Sequence, residues 1–464
     1  MLSLHKYKIP YYPHEYKALF RLGLPITIAQ VGMTVQGMAD VLMVGQHSAQ
    51  ELAAVGFVNS LLLMALLLSM GYSNAAVPQI GSLFPQGRYK EIVAVLKSAS
   101  VANILQCALI CVLMFVIWLL MPYMGLDESL LPLMRSYYII LLPSLLIFSA
   151  SHAFKAFFDS INDTRTTMWI LLAGNVWNIV FNYLLIYGRW GFPEMGSDGA
   201  AWATFSSRVF IVVAFILNFF HNKRYNPYSG HWKDTHVEKR RMKVQNHMGW
   251  PIAIQMTIES AAFSGVSLLL GLGGRDWDAT TALSAHQVMT QLAMFIYMFY
   301  LGIGAAVSIR VSNYHGLESR AGARQAANAG YQMILLVGII CSAIAFGYRH
   351  DITAIFLSAD DPETLARVSE VVATMAFPLI AYQIGDGLQT NYVNALRGWG
   401  DVKVLMKYSF LSYIVISIPL SYLFGIQWGG GACGIWWGFP FGLSVAAILY
   451  LRRFRKVTAP HYNA

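Results

Sequence analysis

Three carboxylates stand in stretches of this chain that are otherwise apolar: Asp40, Glu259 and Asp386. An acid near the middle of a membrane helix costs about 2.5–3.5 kcal/mol on insertion scales, so such residues mark ion, proton or substrate paths. Other oxygen-bearing side chains come to matching depths. At 1.5 Å per helical residue, Asp40 falls about 28 Å past Arg21, Asn178 and Asn182 about 20 and 25 Å past Arg165, and Thr204 about 9 Å from Asp198. These depths would let Asp40, Asn178, Asn182 and Thr204 converge in the outer part of the first half. Four oxygen donors suit a hard monovalent cation such as Na⁺, and a lone carboxylate suits a proton. Glu259 lies about 13 Å past Trp250 and Asp386 about 16 Å before Arg397, both near a membrane midplane. Tyr382, one turn before Asp386, can donate it a hydrogen bond. A bound Na⁺ is thus conceivable at either cluster. For Asn178, Asn182 and Thr204 a purely structural reading stays open, because such side chains commonly bridge membrane helices.

Other candidates are weaker. His286 lies near an outer helix end and is expected to make a packing hydrogen bond rather than relay protons. The four cysteines sit inside apolar runs without any CxxC pair, which argues against a disulfide scaffold or thiolate metal site. There is no His-Glu-x-x-His helix, no phosphate-binding glycine loop and no nucleophile motif. Neither an enzyme, a catalytic residue nor a cofactor is expected.

The elements that must position these groups follow from composition. Of 464 residues, 56% are apolar and 12% charged, about half the charge of a globular domain. Twelve continuous apolar runs are each long enough to span a bilayer: 18–46, 53–84, 92–121, 130–160, 165–189, 198–222, 247–273, 281–314, 322–347, 364–396, 402–425 and 432–452. A β-barrel would instead show short alternating segments. The expected fold is an all-α integral membrane protein, with twelve transmembrane helices in two pseudo-symmetric six-helix bundles.

The net charge of +9 reports topology rather than a nucleic-acid partner. With the N-terminus inside, 26 of the 32 Lys and Arg fall on the inner side, leaving Arg135, Arg189, Arg208, Arg275, Arg349 and Arg367 outside. This positive-inside bias places both termini in the cytoplasm. No cleavable signal peptide is apparent, since His5, Lys6, Lys8, Pro10 and Pro13 precede an apolar run too long for one.

The one long polar interruption, 223–246, divides the chain into an N-lobe at 1–222 and a C-lobe at 247–464, with a cytoplasmic linker between. The halves echo each other. GLPI at 23–26 recurs as GWPI at 249–252, Asn74–Val77 matches Gly304–Val307, and Asn162-Asp163 matches Gly400-Asp401, at offsets of 226, 230 and 238. Six helices per half make these parallel repeats, a design used for alternating access around a central cavity.

Several segments resemble the multidrug and toxic compound extrusion (MATE) transporters of NorM type. Ser284-Ala285-His286-Gln287-Val288 with GIGAAVSIRV at 302–311 is similar to their eighth span. Tyr382-Gln383 with Asp386, then Ala395-Leu396-Arg397-Gly398 and Asp401, is similar to their tenth span and its loop, and Glu259 after Pro251-Ile252-Ala253 to their seventh. The resemblance covers essentially the whole chain. It implies export of cationic, often aromatic drugs driven by Na⁺ or H⁺, with Glu259, Tyr382 and Asp386 in one half and Asp40, Asn178 and Thr204 in the other as coupling residues. Some relatives carry Asp where Asn182 stands, which leaves the first-half cation affinity open. The expectation is a monomeric multidrug antiporter of the bacterial inner membrane, in contact with lipid and small-molecule drugs. The rivals are a flippase of lipid-linked oligosaccharides, whose anionic cargo would favour a basic cavity, and an ion channel.

Overall fold

A computed structural model describes residues 11–271, 278–353 and 362–460. Arg275 and the lead-in His5, Lys6, Lys8 and Pro10 lie outside the described residues. Among the described residues there is no strand. Among the described residues, twelve helices are long and apolar enough to cross a membrane: α1 (Pro13–His47), α2 (Ala49–Gln86), α3 (Tyr89–Tyr123), α4 (Leu131–Ser160), α5 (Thr164–Ile186), α6 (Gly196–His221), α7 (Lys239–Gly271), α8 (Ala279–Gly316), α9 (Arg320–Gly347), α10 (Leu365–Trp399), α11 (Lys403–Gln427) and α12 (Gly431–Val457). The all-helical, twelve-span expectation is met.

Short polar caps set the helix starts. The Asp163 carboxylate accepts from Thr166 N at the head of α5, Asp278 from Thr281 N at α8, and Ser319 Oγ from Gly322 N at α9. Each satisfies a donor that the first turn leaves open. Proline and wide turns break the regularity. Helix α4 is interrupted at Leu142-Pro143, between helical stretches Leu131–Leu141 and Ser144–Ser160, because proline lacks the N–H the ladder needs. Helix α11 contains two π-helical stretches, Phe410–Ser417 and Leu423–Gln427, a geometry often found near functional sites.

Helix α7 starts earlier than its apolar run. Lys239–Asn246, expected in the linker, are helical. Ser98 Oγ accepts from Glu238 N at 3.0 Å, and Arg241 bridges Glu238 and Glu91. The apolar count could not see this turn because its charged side chains face water. The rest of the linker is pinned too. Lys97 Nζ donates to Trp232 O and Thr235 O at 2.5 and 2.8 Å, and Tyr225 and Arg224 both reach Asp163.

The chain packs as two compact units. One comprises Pro25–Gly265 with Gly400–Ile414, and the other the segment up to Leu24, Val266–Trp399 and the segment from Val415. Helix α7 up to Gly265 therefore packs with the first-half helices. There Gly71 allows close approach, since a Cβ at that position would stand 2.6 Å from Ala253 Cα. The core of this unit includes one large cluster around Val55, Val58 and Tyr138, and an aromatic one around Phe157, Phe158 and Phe219. In the other unit, the first turn of α1 is fixed to α8. Glu15, nearly fully buried, accepts from Arg310 Nε and Nη2 at 3.1 and 2.7 Å and from Tyr314 Oη at 2.5 Å.

Candidate functional site

The unit of Pro25–Gly265 contains the polar cluster built from Asp40, Asn178, Asn182 and Thr204. Asn178 and Asn182 are one turn apart on α5 and so share a face; both are fully buried. The Asn182 amide donates to Asp40 Oδ1 and, at 3.2 Å, to Asn178 Oδ1, while Asn178 Nδ2 lies 3.2 Å from Thr204 Oγ1. Turning the Asn178 amide over puts its nitrogen 2.8 Å from Asp40 Oδ1 and its oxygen 3.2 Å from Thr204 Oγ1. Either orientation links all four side chains in one hydrogen-bonded chain across α1, α5 and α6, and the amide oxygen is fixed only by that network. Asn182 Oδ1 is buried and accepts no hydrogen bond from any described residue. A buried acceptor beside a carboxylate is an arrangement that favours a positive guest.

Sequence reasoning missed parts of this interior. Gln36, one turn before Asp40, brings its amide to 3.2 Å from that of Asn178. Tyr137 Oη donates to Asn59 Oδ1 at 3.4 Å. Arg208, expected on the outer side, is instead the thirteenth residue of the 26-residue α6, about 18 Å from the helix start. Its Nη1 donates to Ser144 Oγ at 2.6 Å. The depth of Arg208 in an apolar run was the signal that could have found it.

The second-half residues are split between the units. Glu259, half-buried on α7, accepts from Ser409 Oγ at 3.5 Å, just before the first π-helical stretch. Tyr382 and Asp386 belong to the other unit, one turn apart on α10 and each only 4% exposed. The Tyr382 ring packs against Trp436 and Phe439 of α12, with centroids 6.4 and 6.1 Å away. Trp436 Nε1 donates to His286 Nδ1 at 3.1 Å, which leaves His286 Nε2 to carry the proton toward Ser267 Oγ at 2.9 Å. Both ring nitrogens are engaged, so His286 makes packing hydrogen bonds. A cavity of about 270 Å³ opens among α8, α9 and α10, lined by Tyr300, Ile334, Gly338, Phe346, Gln383 and Gly387. Gln383, the neighbour of Tyr382 in sequence, presents a buried amide there.

Among the described residues no three His, Cys, Asp or Glu side chains gather as a metal cluster. The hydrogen-bonded partners of Asp40 are amides that link on to a hydroxyl, and Glu259 accepts from a hydroxyl. Such surroundings can hold a proton or a monovalent ion.

The chain is similar over its length to the multidrug resistance protein NorM of Vibrio cholerae serotype O1, 28% identical with 97% of this chain and 96% of that protein covered. It is also 28% identical to the multidrug resistance protein PmpM of Pseudomonas aeruginosa, with 95% and 91% covered. Among solved structures it resembles the eukaryotic MATE transporter AtDTX14, with a TM-score of 0.83, 20% identity and 95% of each chain covered. It resembles equally an outward-facing multidrug resistance MATE family transporter of the MOP superfamily, with a TM-score of 0.83, 18% identity and 97% of each covered. At these identities the structural likeness speaks for the fold. The family model described as MatE matches residues 25–184 and 251–423, well over half of the sequence, and the chain belongs to that family.

Proposed function

We propose that this protein is a multidrug efflux antiporter, coupled to Na⁺ or H⁺, that exports organic and mostly cationic compounds by alternating access. The observation that carries the reading is the Asp40–Asn182–Asn178–Thr204 network, a carboxylate with buried amide and hydroxyl partners inside an apolar bundle. Intramembrane acids are rare and commonly mark ion, proton or substrate paths. The multidrug resistance names of the NorM and PmpM relatives support the cargo class. Asp40, Asn178, Asn182 and Thr204 form the first coupling site, and Glu259, Tyr382 and Asp386 serve the second. The protein works as a monomer in the bacterial inner membrane with both termini cytoplasmic. Inward flow of one cation supplies about 2.3 kcal/mol per 100 mV of membrane potential.

One observation favours the rival reading, a flippase of lipid-linked oligosaccharides: Arg208 is a positive charge inside the first unit, and anionic cargo would seek one. Asp40 in the same interior balances it, so cationic cargo remains the better match. The deciding experiment is dye efflux from everted vesicles or proteoliposomes under separately imposed Na⁺ and pH gradients. Export of a cationic dye driven by either gradient supports the antiporter. Indifference to both gradients, with translocation of a lipid-linked sugar, would replace it with the flippase.

A further inference from the structure

Arg208 stands one turn after Thr204 on α6, and residues at i and i+4 share a helix face. Thr204 belongs to the Asp40 network, so Arg208 flanks that network from the inside of the helix. Its guanidinium is held by α4, donating to Ser144 Oγ at 2.6 Å and lying 5.3 Å from the centre of the Phe148 ring. Ser144 is fully buried just after the break at Pro143, and its hydroxyl donates a hydrogen bond to Leu141 O. The Asp40 carboxylate, meanwhile, takes its hydrogen bond from Asn182. Among the described residues, the charged and titratable groups within electrostatic reach of Arg208 are Asp40 on α1, Cys107 on α3, and Tyr137 and His152 on α4. Asp40 is the one carboxylate among them.

From this placement we infer that Arg208 is the internal counter-charge of Asp40, a tethered cation that holds down the affinity of the first-unit cluster for its coupling ion and so keeps that ion releasable. The inference rests on the reading of the cluster as a coupling site. Because the guanidinium is anchored to Ser144, it acts through space and leaves the carboxylate open to the guest. A proton and Na⁺ each add one positive charge to an interior that already holds one, so both are weakened alike. At a separation of about 12 Å and an effective dielectric of about 20, a unit charge changes cation affinity about tenfold.

The test is infrared titration of the purified protein, in which the carboxyl band that disappears in Asp40→Asn reports Asp40 itself. Arg208→Gln is expected to raise the half-protonation pH of that band by about one unit and to lower the Na⁺ concentration for half-maximal competition about tenfold. Arg208→Lys should keep the parent values, and His152→Gln should leave the band where it is. An unchanged midpoint in Arg208→Gln, or an Arg208→Lys variant that behaves like Arg208→Gln, overturns the inference. Failure of gradient-driven export in the parent would sink the antiporter reading, yet the band shift would still decide the role of Arg208. Should Arg208→Gln unfold, thermal unfolding of Asp40→Asn, Arg208→Met and their double variant takes its place. Paired charges predict a double variant more stable than the sum of the singles, and additivity overturns the pairing.

Discussion

Asp40 and Asp386 are both single acids within apolar helices, but their surroundings are built by different means. Asp40 is half-buried and joins a network that spans three helices, running from α1 through the amides of α5 to the hydroxyl of Thr204 on α6. Asp386 is nearly fully buried on α10, one turn from a tyrosine whose ring packs on Trp436 and Phe439 of α12. The first environment offers oxygen ligands, and the second sets packed aromatic rings one turn from its acid. Amide oxygens can replace the hydration shell of an ion, whereas an aromatic wall raises the cost of a bare charge and so favours either a proton or an organic cation that brings its own apolar surface.

The largest expected effect tests the second region. Asp386→Asn should abolish gradient-driven dye export while leaving expression and folding intact. The motive is depth, since Asp386 lies about 16 Å before Arg397, and removing an acid there lowers insertion cost. Vesicle efflux together with gel filtration of the purified variant would check it. Export at the parent rate would show that the carboxylate is not part of coupling. Glu259→Gln should behave in the same way; its loss of folding would instead assign the contact with Ser409 a structural role.

A smaller effect, confined to ion response, tests the first region. If Na⁺ is the guest of the amide cluster, the parent should gain thermal stability on Na⁺ addition, about 2.7 kcal/mol at a hundredfold excess over the dissociation constant. Asp40→Asn should lose that gain. If a proton is the guest, Na⁺ should protect neither protein, and the variant should lose the pH dependence of export. Should Asp40→Asn alter neither response nor transport, the network only joins helices and the comparison between the two regions collapses onto Asp386.

Much of this architecture could be read before any coordinates, and the exceptions have physical causes. Span limits came close because the bilayer filters for apolar composition over a fixed length. The early start of α7 escaped that filter, as Lys239, Arg240, Arg241 and Lys243 are helical but wet. Depth along the chain placed Asp40, Asn178, Asn182 and Thr204 near one another because each helix rises uniformly, so few registers were open to them. Depth says nothing about which neighbour a helix packs against. Glu259 and Asp386 have similar depth, yet the chain distributes them to different compact units. Arg208 was misplaced for another reason: counting charges by side of the membrane gives it no depth, although Ser144 and the Phe148 ring receive it inside the bundle.

The smallest expected effect separates packing from chemistry at Tyr382. Its ring is held by Trp436 and Phe439, contacts that a phenylalanine would keep. Tyr382→Phe should therefore change the unfolding temperature little, since the net worth of one hydroxyl hydrogen bond is about 0.5–1.5 kcal/mol. Tyr382→Ala removes the ring and should cost about 3–5 kcal/mol, as aromatic truncations in packed cores do. The informative quantity is the pH at which export is half-maximal. If the hydroxyl serves the Asp386 carboxylate in its charged form, its removal makes that form less favourable, and the midpoint should move to higher pH in Tyr382→Phe. A midpoint unmoved in Tyr382→Phe, with stability lost only in Tyr382→Ala, would make Tyr382 part of the aromatic wall alone. The second region would then couple through Asp386 without help from the Tyr382 hydroxyl, and its contrast with the amide-rich first region would be sharper still.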